Sequence, residues 1–152
     1  MNANLYALFS RHFPDGTEQP LLVIPNGPVI HYDDIAATSA RYAHALLAAG
    51  CKAGDRVAAQ VDKDPRVLAL YLACLRAGLV YLPLNTGYQR TELAYFFADA
   101  EPRVVVCRPG AEGAIAALAA QLAQRLVAVD AAEDGVERGQ ACDQFVQRVR
   151  RA

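Results

Sequence analysis

The chain has 152 residues, of which 54% are hydrophobic and 20% are charged, the balance of one globular domain. The formal net charge is only −1, so no overall positive field attracts nucleic acid or an anionic membrane. The longest stretch without a charged side chain, 19–32, has 14 residues and includes three prolines, whereas a membrane-spanning helix needs about 20 apolar residues. We therefore expect a cytoplasmic protein with no nucleic-acid partner and no membrane span.

The first predicted element is a short helix, Asn4 to about Phe13. Its large apolar side chains recur at the i, i+3, i+4 spacing of one helix face: Leu5, Leu8 and Phe9. We expect that face to pack against the domain. Two apolar runs follow, at 21–24 and 29–32, and the Pro-Asn-Gly-Pro sequence between them predicts a hairpin. This hairpin is expected at the edge of a sheet.

A longer amphipathic helix is predicted next. Asp33 or Asp34 is expected to cap its start, and Gly50 is expected to end it in a left-handed conformation. The predicted buried face is the following set: Ile35, Ser39, Tyr42, Ala43, Leu46 and Leu47.

From residue 56 the pattern alternates regularly between strand and helix. Strands are predicted at 56–61, 79–82, 103–107 and 126–129, and helices at 65–77, 91–100 and 111–122. The order βαβαβαβ predicts a mostly parallel sheet with right-handed crossovers, hence an α/β fold flanked by helices. The predicted core comprises Val57, Leu68, Leu72, Leu75, Val80, Leu93, Phe96, Val104, Val106, Leu118 and Val127.

The composition changes near the end of the chain. Residues 1–129 read as one α/β unit, whereas 130–152 are rich in charged side chains. The second segment is predicted to be a linker or surface tail. Its apolar residues Cys142, Phe145, Val146 and Val149 fall at i, i+3, i+4, i+7, which also fits a short docked helix.

Side chains that usually carry chemistry occur without a recognisable arrangement. The cysteines lie 23, 33 and 35 residues apart, with no paired spacing for zinc or a redox dithiol, and are predicted to be buried apolar residues: Cys51, Cys74, Cys107 and Cys142. His12, His31 and His44 have no metal-ligand spacing. Asp64, directly before Pro65, is predicted to be a helix N-cap. We assign no catalytic, cofactor-binding or metal-binding residue to this chain.

One glycine pattern partly imitates a dinucleotide fingerprint. Gly110 and Gly113 join a predicted strand to a helix, and Asp130 stands 20 residues after Gly110. No G-x-G stands before Gly113, because position 108 is Arg, and the pattern lies in the third βα unit rather than the first. Turn preferences alone explain Pro109 and Gly110. Dinucleotide binding at Gly110 and Gly113 is therefore an alternative rather than the main hypothesis.

Several segments together resemble the amino-terminal subdomain of AMP-forming acyl-CoA synthetases, which belong to the adenylate-forming superfamily. The segments are Gly54–Ala58, Ala69–Gly78, Tyr81–Thr86, Glu92–Leu93 and Asp99–Pro102. The likeness extends over about residues 1–129, and within the family it is greatest to malonyl-CoA synthetases. The fold it implies is part of the amino-terminal domain of an adenylate-forming enzyme.

This resemblance implies a two-step ligation that uses ATP, Mg²⁺ and CoA: a carboxylate first forms an acyl-adenylate, and the CoA thiol then displaces AMP. The family's Thr-Ser-Gly-Thr-Thr-Gly phosphate loop, its adenine-contacting aromatic-x-Thr-Glu segment, its ribose-binding Asp and its catalytic Lys have no counterpart in these 152 residues. We therefore expect an amino-terminal fragment of a malonyl-CoA synthetase, inactive alone, with no cofactor held by this chain.

The expected partners follow from that interpretation. They are the remainder of the synthetase or a second copy of the chain, because a slice of a larger unit exposes surface shaped to meet later segments. Two non-catalytic alternatives stay open. One is an independent binding module for a dinucleotide or a protein, and the other is a regulatory partner of a full-length synthetase.

Overall fold

The computed structural model describes residues 4–15, 19–122 and 127–130, the last range without its side chains. Five helices and six strands lie in these ranges. In chain order they are α1 (Leu5–Ser10), β1 (Pro20–Val23), β2 (Val29–His31), α2 (Tyr32–Ala48), β3 (Arg56–Gln60), α3 (Pro65–Ala77), β4 (Val80–Pro83), α4 (Arg90–Ala100), β5 (Val104–Cys107), α5 (Glu112–Gln121) and β6 (Val127–Asp130).

The predicted parallel sheet is confirmed. Four strands lie in the order β4-β3-β5-β6, and each neighbouring pair is parallel. Every predicted boundary of these strands and their helices lies within one residue of the observed one. The chain moves from β3 outward to β4 and then returns past β3 to β5, so the strand order reverses between β3 and β5.

Helices cover both faces of the sheet. Val57, Val104 and Val106 pack with α2 and α3 on one face. Ala58, Val105 and Cys107 pack with α4 and α5 on the other. Since successive side chains of a strand point to opposite faces, the uninterrupted apolar run of β5 is buried on both sides. This arrangement confirms the α/β fold class.

The signals at the ends of α3 act as the sequence predicts. The Asp64 carboxylate accepts a hydrogen bond of 2.7 Å from the backbone N–H of Arg66, and Pro65 takes the first helical position. Gly78 ends the helix with φ +69°, where a side chain would be strained.

Two details of α2 were predicted wrongly. Its N-cap is His31, and Asp34 acts from inside the helix by accepting the His31 backbone N–H at 3.1 Å. Leu47 is 47% exposed whereas Leu46 is fully buried, because Leu47 lies one position beyond the stripe that contacts α3. The predicted stop is confirmed by φ +88° at Gly50.

The apolar face of α1 does not pack against the domain, so that prediction is wrong. Leu5, Leu8 and Phe9 are each more than 40% exposed, and the helix ends at Ser10. It is held instead through polar groups at the end of α3: the Asn4 side chain donates to the Leu75 carbonyl at 2.9 Å. The Arg76 guanidinium contacts the Tyr6 hydroxyl and lies 3.8 Å from the Tyr6 ring centroid.

The hairpin is confirmed, but its expected place is wrong. Strands β1 and β2 pair antiparallel as a separate two-stranded sheet. In the described part of the chain they do not extend the parallel sheet, because its two edge strands are β4 and β6. The hairpin instead lies against α2, where Leu21 and Ile30 join the apolar core on that side.

Most of the predicted core is buried as expected, with one clear exception. Val80 is 49% exposed, because it begins β4 at the edge of the sheet and points away from α3. Partial burial is found at Leu68, Leu75 and Phe96. The Val127 side chain lies outside the described residues.

The predicted division at residue 129 is not tested. β6 extends through Asp130, and residues 131–152, including the predicted helix at 142–149, lie outside the described part of the chain. Among the residues described, no helix combines the length and the apolar character that crossing a membrane requires.

Candidate functional site at the carboxyl edge of the sheet

The carboxyl ends of β3, β4, β5 and β6 form one edge of the sheet, here called the carboxyl edge. In open α/β sheets, ligands bind at this edge where the strand order reverses. In this protein the reversal lies between β3 and β5, which end side by side with Gln60 opposite Cys107. A ligand-binding site is therefore expected first at this switch point.

The switch point is covered by the connection between β4 and α4, here called the 84–89 loop. Gln60 is only 5% exposed, and its side-chain Nε2 donates to the Asn85 carbonyl at 3.1 Å and to the Tyr88 carbonyl at 2.9 Å. The backbone N–H of Leu84 donates to the carbonyl of Ala59 at 2.9 Å. The loop is thus attached directly to the end of β3.

Two further contacts hold the 84–89 loop from outside the switch point. Arg108, directly after β5, donates from its guanidinium to the Thr86 carbonyl at 3.3 Å. The Tyr88 ring stacks on Phe96 of α4, with centroids 5.2 Å apart and planes 22° from parallel. Inside the loop, the Asn85 side chain accepts the Gly87 N–H at 2.8 Å. The loop is therefore ordered by contacts from β3, β5 and α4 together.

A helix N-terminus is an attractive place for a phosphate only when no carboxylate already occupies it. Within residues 19–122, each helix that starts at this edge carries one: Asp64 caps α3, Glu92 lies in the first turn of α4, and Glu112 lies in the first turn of α5. Glu92 accepts the Gln89 backbone N–H at 3.0 Å. These carboxylates make the described edge a poor phosphate site.

The ionisation of Asp64 is set by its partner. Burial alone would raise the pKa of this carboxyl, but hydrogen bonds from the Arg66 side chain and backbone, together with the Arg66 charge, outweigh burial and hold the pKa below its usual value. The guanidinium Nε lies 2.7 Å from Asp64 Oδ1. Asp64 is therefore an ionised cap, as predicted, rather than an acid or base.

The glycines of the dinucleotide alternative have different roles. Gly110 has φ +81°, so the turn after β5 needs a residue that tolerates the left-handed region. Gly113 lies in α5, and a Cβ placed there meets no atom within 4 Å. A dinucleotide fingerprint uses its third glycine for close packing of helix on strand, so Gly113 has no such structural reason to be glycine.

The described cysteines are free and buried, as predicted: Cys51, Cys74 and Cys107. Burial, with a smaller contribution from Cys51, raises the pKa of Cys74 to about 12. Burial, followed by the Glu112 charge, raises the pKa of Cys107 to about 11. These thiols are protonated near neutral pH. Cys142 lies outside the described residues.

The histidines are not brought together. His31 Nδ1 lies 3.3 Å from Asp34 Oδ2, whereas His12 and His44 are exposed. Within 4–15 and 19–122, no three His, Cys, Asp or Glu side chains are grouped as a metal site would require.

Sequence reasoning missed Gln60 and Arg108. The available signal was Gln60 itself, a polar residue at the carboxyl end of an apolar strand. A buried amide must find hydrogen-bond partners. Those partners are 25 and 28 residues away, and no local pattern identifies them.

Comparisons of the sequence and of the structure with known proteins point to the same family. The profile of the family described as "AMP-binding enzyme" matches residues 17–148. The crystal structure of ATP-bound MatB from Rhodopseudomonas palustris superposes with a TM-score of 0.80 at 41% identity and covers 95% of this chain.

Curated relatives include a feruloyl-CoA synthase from an Amycolatopsis species, 37% identical over 110 residues and 71% of this chain. Malpinin synthetase from Mortierella alpina is 37% identical over 102 residues and 67% of this chain. The chain spans 28% of the MatB chain, 22% of the feruloyl-CoA synthase and 1% of malpinin synthetase. It therefore corresponds to a small part of each of these proteins.

Proposed function

Because this chain belongs to the AMP-binding enzyme family and matches the amino-terminal region of adenylate-forming enzymes, we propose that it is the amino-terminal part of an ATP-dependent acyl-CoA synthetase that uses malonate. The observation that carries this proposal is the 41% identity to MatB over 95% of the chain. The segments that resemble malonyl-CoA synthetases, from Gly54 to Pro102, lie within that region.

The proposed reaction has two steps. A malonate carboxylate oxygen attacks the α-phosphorus of ATP, the bond to the bridging oxygen breaks, and diphosphate leaves. The CoA sulfur then attacks the malonyl carbonyl carbon of the adenylate and AMP leaves. The sum is malonate, ATP and CoA giving malonyl-CoA, AMP and diphosphate. Mg²⁺ supplies charge neutralisation on the phosphate oxygens.

In this proposal the described residues act as a scaffold. The carboxylates at the starts of α3, α4 and α5 do not fit the phosphates of ATP, and the family's phosphate loop and catalytic Lys have no counterpart in the 152 residues. No step is therefore assigned to Asp64, Glu92 or Glu112. The chain alone is proposed to be inactive, with nucleotide chemistry supplied by other parts of a synthetase.

The choice of malonate as the acid substrate is a separate and more specific part of the proposal. The relatives are named for different products, such as feruloyl-CoA, so family membership alone does not choose the acid. Malonate is favoured by the segments from Gly54 to Pro102, whose sequences resemble malonyl-CoA synthetases.

The test uses the entire polypeptide encoded by the gene that contains this chain. AMP release is measured with ATP, Mg²⁺ and CoA, and with malonate, succinate or ferulate as the acid. Succinate is the matched control, because it has the same two carboxylates and one more methylene. We expect AMP release with malonate and the mass of malonyl-CoA among the products.

If the protein prefers ferulate or another acid, the proposal of malonate as substrate is wrong, whereas the proposal of an acyl-CoA synthetase stands. AMP release that needs no CoA and yields no thioester would contradict the acyl-CoA synthetase itself. Folded protein without AMP release on any of the acids would contradict the whole proposal.

A further inference from the structure

We propose that the 84–89 loop acts as a strap that keeps the switch-point crevice closed, and that Gln60 is the residue that holds it there. The crevice between the ends of β3 and β5 is where ligands bind in open α/β sheets. In this protein the chain's own loop occupies that place.

The side-chain NH₂ group of Gln60 donates to the loop twice. Its NH₂ group has two N–H donors, and they reach two carbonyls three residues apart, those of Asn85 and Tyr88. One side chain thus fixes both halves of the loop. Because Gln60 is 95% buried, water cannot easily replace the lost donors, and the two carbonyls would lose their partners if the amide were removed.

The inner side of the loop closes over the sheet. Leu84 is buried, and Leu84, Tyr88 and Cys107 belong to one packed apolar cluster. Cys107 is opposite Gln60 in the β3–β5 register and is fully buried. The Cys107 thiol therefore lies in the region that the loop and its neighbours shield from solvent.

The outer side of the loop is held by the Arg108 bond to Thr86 and by the stack of Tyr88 on Phe96. Asn85, Gly87 and Gln89 are exposed, and the Arg108 contact with the Thr86 carbonyl is an exposed hydrogen bond. Backbone pairing of β3 with β5 does not use the Gln60 side chain. Loss of the Gln60 amide should therefore loosen the 84–89 loop, so that it opens more often, while the sheet stays intact.

Cys107 reports the opening directly. Wild type, Gln60→Met and Gln121→Met are treated with N-ethylmaleimide at pH 8, and alkylation of each cysteine is followed by peptide mass spectrometry. Methionine keeps the length of glutamine and removes its donors. Gln121 is an exposed glutamine on α5 whose side-chain oxygen accepts a hydrogen bond from Arg90 at the start of α4, so Gln121→Met is the matched control for losing an exposed glutamine contact beside the loop. Cys74, buried on the opposite face of the sheet, reports opening of the domain as a whole.

We expect Gln60→Met to accelerate alkylation of Cys107 by about 10-fold to 100-fold, as loss of two hydrogen bonds predicts. Alkylation of Cys74 should not change in this variant, and Gln121→Met should change neither rate. An unchanged Cys107 rate in Gln60→Met would overturn the proposal. Equal acceleration at Cys74 and Cys107 would do so as well, because it would mean that the whole domain opens.

A second measurement needs no variant. Hydrogen exchange of the wild-type protein is followed at the N–H groups of Leu84 and Tyr88, which bond to Ala59 and Asn85, and at those of β3. The proposal predicts that Leu84 and Tyr88 exchange together and at least 10-fold faster than the β3 amides. Exchange of all these amides at one common rate would contradict a strap that opens separately from the sheet.

Discussion

Two neighbouring leucines of α2 offer a stringent test of how this helix packs. Leu46 has no exposed surface, whereas Leu47 is 47% exposed. Replacing a fully buried leucine by alanine removes transfer energy and leaves a cavity, at a cost of about 3 to 5 kcal/mol. For Leu47 about half of the surface is already in water, so the loss is about 1 kcal/mol, from roughly 0.8 kcal/mol per buried methylene.

The assay is urea unfolding of the wild-type protein, Leu46→Ala and Leu47→Ala, followed by circular dichroism at 222 nm. Both substitutions change the same residue type in the same helix, so helix propensity cancels. We expect Leu46→Ala to lose about 2 to 4 kcal/mol more unfolding free energy than Leu47→Ala. Equal losses, or a larger loss at Leu47, would show that α2 presents a different face to α3 and would refute the packing described.

Three further predictions concern the cap, the thiols and the glycines. Asp64→Ala should lower the free energy of unfolding by about 1 kcal/mol near neutral pH. Because Arg66 lowers the folded-state pKa of this carboxyl, the difference in unfolding free energy from the wild type should shrink as the pH falls through that pKa. A difference that stays constant in acid would contradict the ionised cap. Burial raises the pKa of Cys74 to about 12 and of Cys107 to about 11. The unfolded chain therefore ionises these thiols first, and the free energy of unfolding should fall as the pH rises from about 9. Urea titrations at several pH values should show a shallower fall for Cys74→Ala than for the wild type. Gly78→Ala should destabilise by about 1 to 2 kcal/mol at φ +69°, whereas Gly113→Ala, with open space around its Cβ, should stabilise α5 by about 0.5 to 1 kcal/mol in thermal melts.

The sequence predicts the parallel sheet well because its signals are local and agree with one another. Pro65 after Asp64 starts α3, Gly78 ends it, and the apolar run of β5 is continuous. Each signal acts through its own backbone or its immediate neighbours. Tertiary contacts have no need to override them, and the observed boundaries lie within one residue of the predicted ones.

The amino-terminal helix shows what periodicity leaves open. The spacing of Leu5, Leu8 and Phe9 correctly places them on one face, but it does not determine whether that face meets the protein. Here the contacts with Arg76 and with the Leu75 carbonyl orient α1 through Tyr6 and Asn4. Those partners are about 70 residues away, so local sequence cannot identify them.

The carboxyl edge was beyond prediction for a related reason. A glutamine at the end of an apolar strand signals a buried polar contact, but the contact itself joins Gln60 to a loop that only the βαβ crossover brings close. The glycine pattern at 110–113 was a stronger local signal. It marks a turn at Gly110 and an unconstrained position at Gly113.

We propose above that this chain is a scaffold of an adenylate-forming enzyme and does not hold ATP by itself. The most direct measurement is calorimetric titration of ATP with Mg²⁺ into the 152-residue chain and into a chimera in which it replaces the matching 28% of MatB from Rhodopseudomonas palustris. We expect no binding below millimolar ATP for the chain and binding close to that of MatB for the chimera. Micromolar binding by the chain alone, or a folded chimera that fails to bind ATP, would contradict it.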